Sequence, residues 1–316
     1  AKVIYMRDSL SQALRRIWDY PLTVVEAPMG YGKTTAVREF FKGRESEALW
    51  QTVADASAAG FWRGFSRLFA GREPVRAARL AGIGVPGDSV LMDEAVELIG
   101  NMSFPARLAA VIDDYHLLSA ENIDKFFERL ARSRIPNLHI VLVTRSEFGD
   151  NTAELALKGY CQVIGKSRFE LTQAETVEFC RRCGVRLTAE DAVFLHDYTE
   201  GWISAVYLCI LGYLQDGRLE RQASLSELIE KAVYRPYPAE VKEFLLSVCI
   251  FDSFSLAQAG QMWQNGDAEP LLRRLIAENA FIRFDHAGQT YCLHNIFANY
   301  LRRLFDRQNL DRRRAL

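Results

Sequence analysis

The 316-residue sequence lacks any apolar run that approaches the roughly 18 to 20 residues needed to span a bilayer. Its start, AKVIYMRDSL, has no apolar signal-peptide core. The formal net charge is only −1, which argues against an extended surface for polyanions. Internal repeats and low-complexity tracts are also absent. We therefore expect a cytoplasmic protein with no membrane partner, and its length predicts two or three domains.

Cysteine is present, but its spacing does not indicate a site. The six cysteines are scattered, and the one close pair, Cys180 and Cys183, has no second pair and no histidine at zinc-site spacing. We expect reduced thiols on a helix and neither a metal centre nor a redox motif.

A phosphate-binding pattern lies in the segment TVVEAPMGYGKTTAVREFF, which starts at Thr23. A β-branched apolar run precedes it and an amphipathic run follows Lys33, so the segment predicts a strand, a glycine loop and a helix. The loop amides and the helix dipole attract phosphate. In the pattern G-x-x-x-x-G-K-[ST], Lys33 reaches the β and γ phosphates and the Thr34 hydroxyl binds Mg²⁺. The alternative is an ordinary strand-to-helix turn with a solvated lysine.

The loop departs from the pattern at one position. The first glycine position holds Ala27, although Gly30 adds a glycine within the loop. Alanine is tolerable there if its φ angle is negative. The predicted nucleotide contacts of the loop are Pro28, Gly30, Tyr31, Gly32, Lys33, Thr34 and Thr35.

Two further apolar runs end in polar side chains, and we expect them on parallel strands that neighbour the loop strand. The run at 108–112 ends in Asp113 and Asp114. We assign Asp113 to the Mg²⁺ shell and Asp114 to the attacking water. A helix N-cap pair is the alternative. A third run ends in Thr144 and Arg145, which would lie near the γ phosphate; the alternative is a surface arginine.

The second half of the chain is dominated by helix signals. Capping residues predict helices that open at Thr172 and Thr188, and a third helix follows Trp202. Four more helices precede two strand-like pieces, FIRFD and TYCLH, joined by HAG, which suggests a winged helix. The arginine-rich end is read as a solvated helix face. The fold class is therefore α/β, with a parallel-sheet domain at 1–165, a helical lid domain at 166–222 and a winged-helix domain at 223–316.

Several motifs together carry a family resemblance. EAPMGYGKTT, FWRGF, VIDDYHLL, VLVTRSE, SRFELTQAE, YTEGW and LHNIFANYLR occur in the order and spacing typical of large ATP-binding LuxR-family regulators of the MalT type. These regulators belong to the STAND class of P-loop ATPases. The resemblance covers essentially the whole chain. It implies a nucleotide-binding module that closes around ADP at rest, whereas ATP with inducer favours an open, oligomerising form.

The resemblance also implies roles for single residues. Tyr5 and Arg7 lie in the entry segment that contacts adenine. Ile203 occupies the position of a proline that often packs on adenine. His294 falls where a winged-helix histidine reaches the β phosphate of ADP; by itself it reads as a histidine on a strand-to-helix turn. We interpret His116 as a packing or surface residue. Gly201 and Trp202 are interpreted as structural, because a tryptophan after a helix break is commonly a core anchor.

Two functions from different classes remain open. The first is a conformational switch that binds ATP/ADP and Mg²⁺, with slow hydrolysis supported by Asp114, Lys33 and Arg145. Its inducer would act through a C-terminal sensor, and its DNA contact through a C-terminal helix-turn-helix, both expected beyond Leu316. The second is a working AAA+ or origin-recognition-like ATPase, a loader or motor whose turnover is the function.

Overall fold

The computed structural model describes residues 3–54, 56–118, 120–216, 226–227, 229–264, 266–277, 281–285 and 289–307. The chain divides into two compact units. We call the first the α/β unit; it comprises Met6–Ala27 and Lys33–Arg168. We call the second the C-terminal unit; it comprises Ala1–Tyr5, Pro28–Gly32 and Phe169–Leu316. The bounds of the three predicted domains stay predictions.

The α/β unit is built on a five-stranded parallel sheet of order β2-β3-β4-β1-β5. Its strands are β1 (Leu22–Glu26), β2 (Ala48–Thr52), β3 (Leu108–Asp113), β4 (Leu138–Thr144) and β5 (Cys161–Ile164). The predicted α/β fold class is confirmed. The predicted neighbour relation is wrong for β3, because β4 lies between β3 and β1. Apolar runs identify buried strands, but they carry no information on lateral order.

Seven α-helices accompany the sheet within the described part of the α/β unit. They are α1 (Asp8–Arg15), α2 (Lys33–Phe41), α3 (Ala58–Leu68), α4 (Pro74–Ile83), α5 (Ser89–Gly100), α6 (Glu121–Ser133) and α7 (Thr152–Leu157). The FWRGF motif lies on α3 and supplies core residues. Trp62 is buried, its ring meets Phe126 edge-on at 4.9 Å, and its indole N–H donates to the Leu80 carbonyl at 3.0 Å. This motif therefore holds α3 against α4 and α6.

The C-terminal unit begins with three helices, α8 (Gln173–Arg182), α9 (Ala189–Thr199) and α10 (Ile203–Asp216). Thr172 and Glu175 form the predicted capping box of α8. Thr188 caps α9 as predicted. All six cysteines are free thiols, and Cys180 lies buried on α8, where burial raises its pKa to about 12.

The winged-helix part follows a π-helical turn at Glu230–Tyr234. It contains α11 (Ala239–Val248), β6 (Ser253–Phe254), α12 (Leu256–Met262), α13 (Ala268–Ala277), β7 (Ile282–Asp285), β8 (Thr290–Leu293) and α14 (Asn295–Asp306). The predicted strand pair is confirmed, since β7 and β8 pair antiparallel in a sheet of order β6-β8-β7. The predicted HAG turn and the arginine-rich end after residue 307 lie outside the described residues. Among the described helices, none is long and apolar enough to cross a bilayer.

Candidate nucleotide-binding site

The loop between β1 and α2 has the backbone that its glycines predict. Gly30 and Gly32 have φ angles of 79° and 82°, in the left-handed region that favours glycine. Ala27 is not among the positive-φ residues; it is buried, and its N–H donates to the Thr144 carbonyl at 3.4 Å. Alanine is therefore accommodated at the first position of the pattern without strain.

Lys33 is held inside the loop. Its side chain is buried, and Nζ donates to the Ala27 carbonyl at 2.5 Å. Burial lowers the pKa of Lys33 to about 8; Arg145 also lowers it, whereas Asp114 and Asp113 oppose the shift. A solvated lysine, the alternative interpretation, is excluded. A partly desolvated cation gains most from an anion brought close to it.

Thr34 and Asp113 meet although 79 residues separate them. The Thr34 hydroxyl donates to Asp113 Oδ1 at 2.8 Å, and the Asp114 amide donates to the same oxygen at 3.1 Å. Burial raises the pKa of Asp113, and the hydrogen bond from Thr34 opposes this shift. A hydroxyl and a carboxylate are oxygen ligands of the kind that Mg²⁺ prefers, so these two residues fit the predicted metal shell.

Asp114 and Arg145 directly follow β3 and β4, at the carboxyl ends of these strands. Asp114 has a φ angle of 55° at the start of a 3₁₀ turn, Tyr115–Leu117, and its side chain makes no capping hydrogen bond there. Arg145 directly follows β4 and is half-buried. The electrostatic influence of both on Lys33 indicates that the three side chains are near one another. The Thr144 hydroxyl donates to the Ser146 carbonyl at 3.0 Å, and its predicted place near the γ phosphate stays a prediction.

His116, which the sequence predicts to be a packing or surface residue, also lies near Lys33, Asp114 and Arg145. Burial lowers its pKa to about 4; Arg145 and Lys33 lower it further, and Asp114 opposes the shift. Its Nδ1 is buried and has no hydrogen-bond partner among the described residues. The imidazole is therefore neutral beside the cations. The signal that could have found it is its position two residues after the aspartate pair.

The C-terminal unit holds loop residues 28–32 around one indole. The Tyr31 ring stacks on Trp202 with centroids 6.2 Å apart and an interplanar angle of 20°. The indole also meets the edges of Phe281 at 5.0 Å and His294 at 6.0 Å. Burial raises the pKa of Tyr31, and Glu170 and Glu200 add to the shift. Trp202 is the predicted core anchor, and it also connects the loop to the winged helix.

His294 lies at the N-cap of α14 and is buried. Its Nδ1 accepts the Ile296 amide at 3.4 Å. In a neutral imidazole this bond places the proton on Nε2, which makes Nε2 a donor. The residue thus occupies the predicted strand-to-helix turn and has the tautomer that a phosphate contact needs. Its contact with ADP stays a prediction.

Tyr5 and Arg7 fall in different units, and each has defined contacts. The Tyr5 ring lies 5.9 Å from Phe179, with Arg182 over its face at 4.9 Å. Arg7 precedes α1 and donates from Nη1 to the Ser167 carbonyl at 3.1 Å. Their predicted adenine contacts stay predictions.

Three further loop and helix positions complete the predicted set. Ile203 is the first residue of α10, and its Cγ2 lies 3.8 Å from where a Cβ at Gly32 would be. Its apolar side chain therefore borders the loop. Pro28 is buried, whereas Thr35 is half-buried in the first turn of α2. Their predicted nucleotide contacts remain predictions.

Comparison with known proteins finds similar sequences. The MalT winged helix domain family matches residues 230–313. The HTH-type transcriptional regulators MalT of Serratia proteamaculans and Yersinia pestis are 26% and 24% identical to the chain, and each match covers 94% of it. The resemblance to MalT-type regulators is confirmed. The chain spans only about a third of the length of these relatives, 34% and 35%.

A solved structure supports the fold. The Walker-type ATPase PABY2304 of Pyrococcus abyssi aligns with a TM-score of 0.60 over 95% of this chain and 96% of its own. At 13% sequence identity, this likeness concerns the fold alone. The predicted α/β fold, with a parallel sheet followed by a winged helix, is confirmed.

Proposed function

We propose that the chain is the adenine-nucleotide switch module of a signal-responsive transcription regulator. The loop binds ATP or ADP, with Lys33 on the β and γ phosphates and with Mg²⁺ held by Thr34 and Asp113. The 2.8 Å hydrogen bond between these two residues supports the metal assignment. When bound, Mg²⁺ neutralises phosphate charge.

One structural observation supports the proposed conformational switch. Loop residues Pro28–Gly32 belong to the same compact unit as α8–α10 and the winged helix, and Tyr31 stacks on Trp202 within it. A nucleotide that favours one conformation of the loop therefore acts directly on this unit. We propose that His294 donates from Nε2 to the β phosphate of ADP and stabilises the resting form. ATP with inducer favours an open, self-associating form.

Hydrolysis has a supporting role in this proposal. Asp114 orients or deprotonates the attacking water, and Arg145 stabilises charge near the γ phosphate. Turnover is slow and sets how long the ATP state lasts. The inducer acts through a sensor, and DNA is contacted through a helix-turn-helix, each in the rest of a MalT-type protein in the cytoplasm.

The test is the nucleotide content of the purified chain, together with its turnover rate. Retained ADP with slow turnover supports the switch, whereas an empty site with fast turnover supports a loader or motor. Lys33→Ala should abolish binding of ADP and ATP in titration calorimetry, because the loop loses its buried cation. Lys42→Ala, an exposed lysine just after α2, is the matched control and should bind normally. Unchanged affinity in Lys33→Ala would refute the assignment.

A further inference from the structure

The Ser204 side chain makes a hydrogen bond to the phosphate loop that could not be predicted from the sequence. The Ser204 hydroxyl donates to the Gly30 carbonyl at 2.6 Å, across 174 residues of sequence. Both residues belong to the C-terminal unit. Ser204 directly follows Ile203, and the sequence assigns it no role. Its hydrogen bond is directed at the main chain of the loop, where phosphate-binding loops present their amides.

This bond fixes the direction of a neighbouring amide. In a trans peptide the carbonyl and the following N–H point in opposite directions. The described residues contain no cis peptide bond. A hydroxyl that holds the Gly30 carbonyl on one side therefore holds the Tyr31 N–H on the other. Backbone N–H groups of such loops converge on a bound anion.

Glycine makes this restraint necessary. Gly30 has a φ angle of 79°, and a residue without a Cβ rotates between conformations that other residues cannot reach. The adjoining peptide plane would turn easily without an external partner. The Ser204 hydrogen bond restricts that rotation before a ligand arrives, which reduces the entropy lost on binding.

The element that carries Ser204 is itself rigidly placed. Trp202 is fully buried, two residues before Ser204. Gly201 has a φ angle of 73° and accepts the Leu171 amide at 3.0 Å. A Cβ at Gly201 would lie 2.2 Å from the Leu171 carbonyl oxygen, so the main chains are in close contact. Ser204 is therefore a fixed point against which the loop is positioned.

We propose that Ser204 is a positioning residue of the phosphate site, which holds the Gly30–Tyr31 peptide so that the Tyr31 N–H faces the bound phosphate chain. The inference rests on the proposed nucleotide binding. It makes the affinity of the loop for a diphosphate depend on the first turn of α10. A displacement of α10 releases the peptide and weakens phosphate binding.

The test compares two substitutions of Ser204, to threonine and to valine, whose side chains have nearly the same shape. Ser204→Thr keeps the hydroxyl, whereas Ser204→Val replaces it with a methyl group. Titration calorimetry with ADP and with inorganic pyrophosphate should give parent-like affinity for the threonine variant. Affinity should fall about 3- to 10-fold for the valine variant, because one hydrogen bond is lost. Ser247→Ala is the control, since this buried serine donates to the Phe244 carbonyl at 2.7 Å in the same unit.

The outcomes separate the inference from the proposed function. Equal affinities of the threonine and valine variants for pyrophosphate would overturn the inference, and the nucleotide site would stand if Lys33→Ala still abolished binding. A loss in Ser247→Ala as large as in Ser204→Val would also overturn it, because general destabilisation would then explain the effect. A parent chain that binds neither ADP nor pyrophosphate would overturn both proposals.

Discussion

The substitution Gly30→Ala tests two separate reasons why the phosphate loop has a glycine at this position. The first is the backbone, because φ is 79° at Gly30. The second is space, since a Cβ there would lie 2.7 Å from Trp202 Nε1 and 2.9 Å from Ser204 Oγ. Gly184, in the same unit, has a φ angle of 85° and no atom within 4 Å of its Cβ position. Gly184→Ala is therefore a control that changes the backbone term alone.

The two terms have different expected sizes. A non-glycine residue in the left-handed region costs about 1–2 kcal/mol of folding stability, and this applies at both positions. Trp202 cannot retreat from a new methyl group, because it is fully buried and meets Phe281 at 5.0 Å. Overpacking of this kind costs about 1–3 kcal/mol more unless the loop moves instead. Loop movement displaces the Tyr31 amide, so ADP affinity should fall at least about tenfold.

Urea unfolding and titration calorimetry with ADP measure the two terms. Gly184→Ala should lose about 1–2 kcal/mol of stability and keep the parent affinity for ADP. Gly30→Ala should lose more stability, more affinity, or both. Equal destabilisation of the two variants, together with unchanged ADP affinity in each, would refute the reasoning. In that case the indole would not restrict position 30.

Two further experiments address the chemistry and the pH dependence of the α/β unit. Asp113→Asn should weaken Mg²⁺-dependent binding of ATP, whereas Asp114→Asn should keep binding and slow phosphate release; parent rates in both would exclude these carboxylates from hydrolysis. Burial, with help from Glu147, raises the pKa of Glu26 to about 7 from 4.5, so the folded chain binds the extra proton between these values. The contribution of this group to the free energy of unfolding should therefore fall by at most about 3 kcal/mol as the pH rises from 4.5 to 7. In Glu26→Gln, the free energy of unfolding measured in urea should depend less on pH across that window.

The sequence predicts the elements that its local patterns encode. Apolar runs locate β1, β3 and β4, because strands buried on both faces are apolar throughout. Thr172 identifies the start of α8, since a capping box depends on residues only three positions apart. By contrast, β2 gives no such run, because its residues 48–51 are half-buried and include Gln51. The order of the strands is equally hidden, as it depends on how the crossovers pack.

In the candidate site, too, some residues could be predicted from local sequence patterns and others could not. Thr34 and Asp113 lie in two motifs that the sequence assigns to one predicted metal shell, and the two side chains are in contact. The position of His116 after the aspartate pair was its one local signal, whereas nothing local distinguishes Ser204, which bonds to a loop, from a serine that faces solvent. Their roles depend on contacts across the fold, such as the 174-residue separation between Ser204 and Gly30.

The departure at Ala27 has a physical explanation that links these observations. Ala27 ends the buried strand region, has no positive φ angle and bonds to Thr144, so a glycine there would add only flexibility. Gly30 has a left-handed backbone and lies against Trp202 and Ser204, so a side chain there meets both a torsional and a steric penalty. Within the C-terminal unit, glycine is therefore required at position 30, whereas alanine is accommodated at position 27 in the α/β unit. The glycine at position 30 is explained by its left-handed backbone and by its packing against Trp202 and Ser204 at the start of α10.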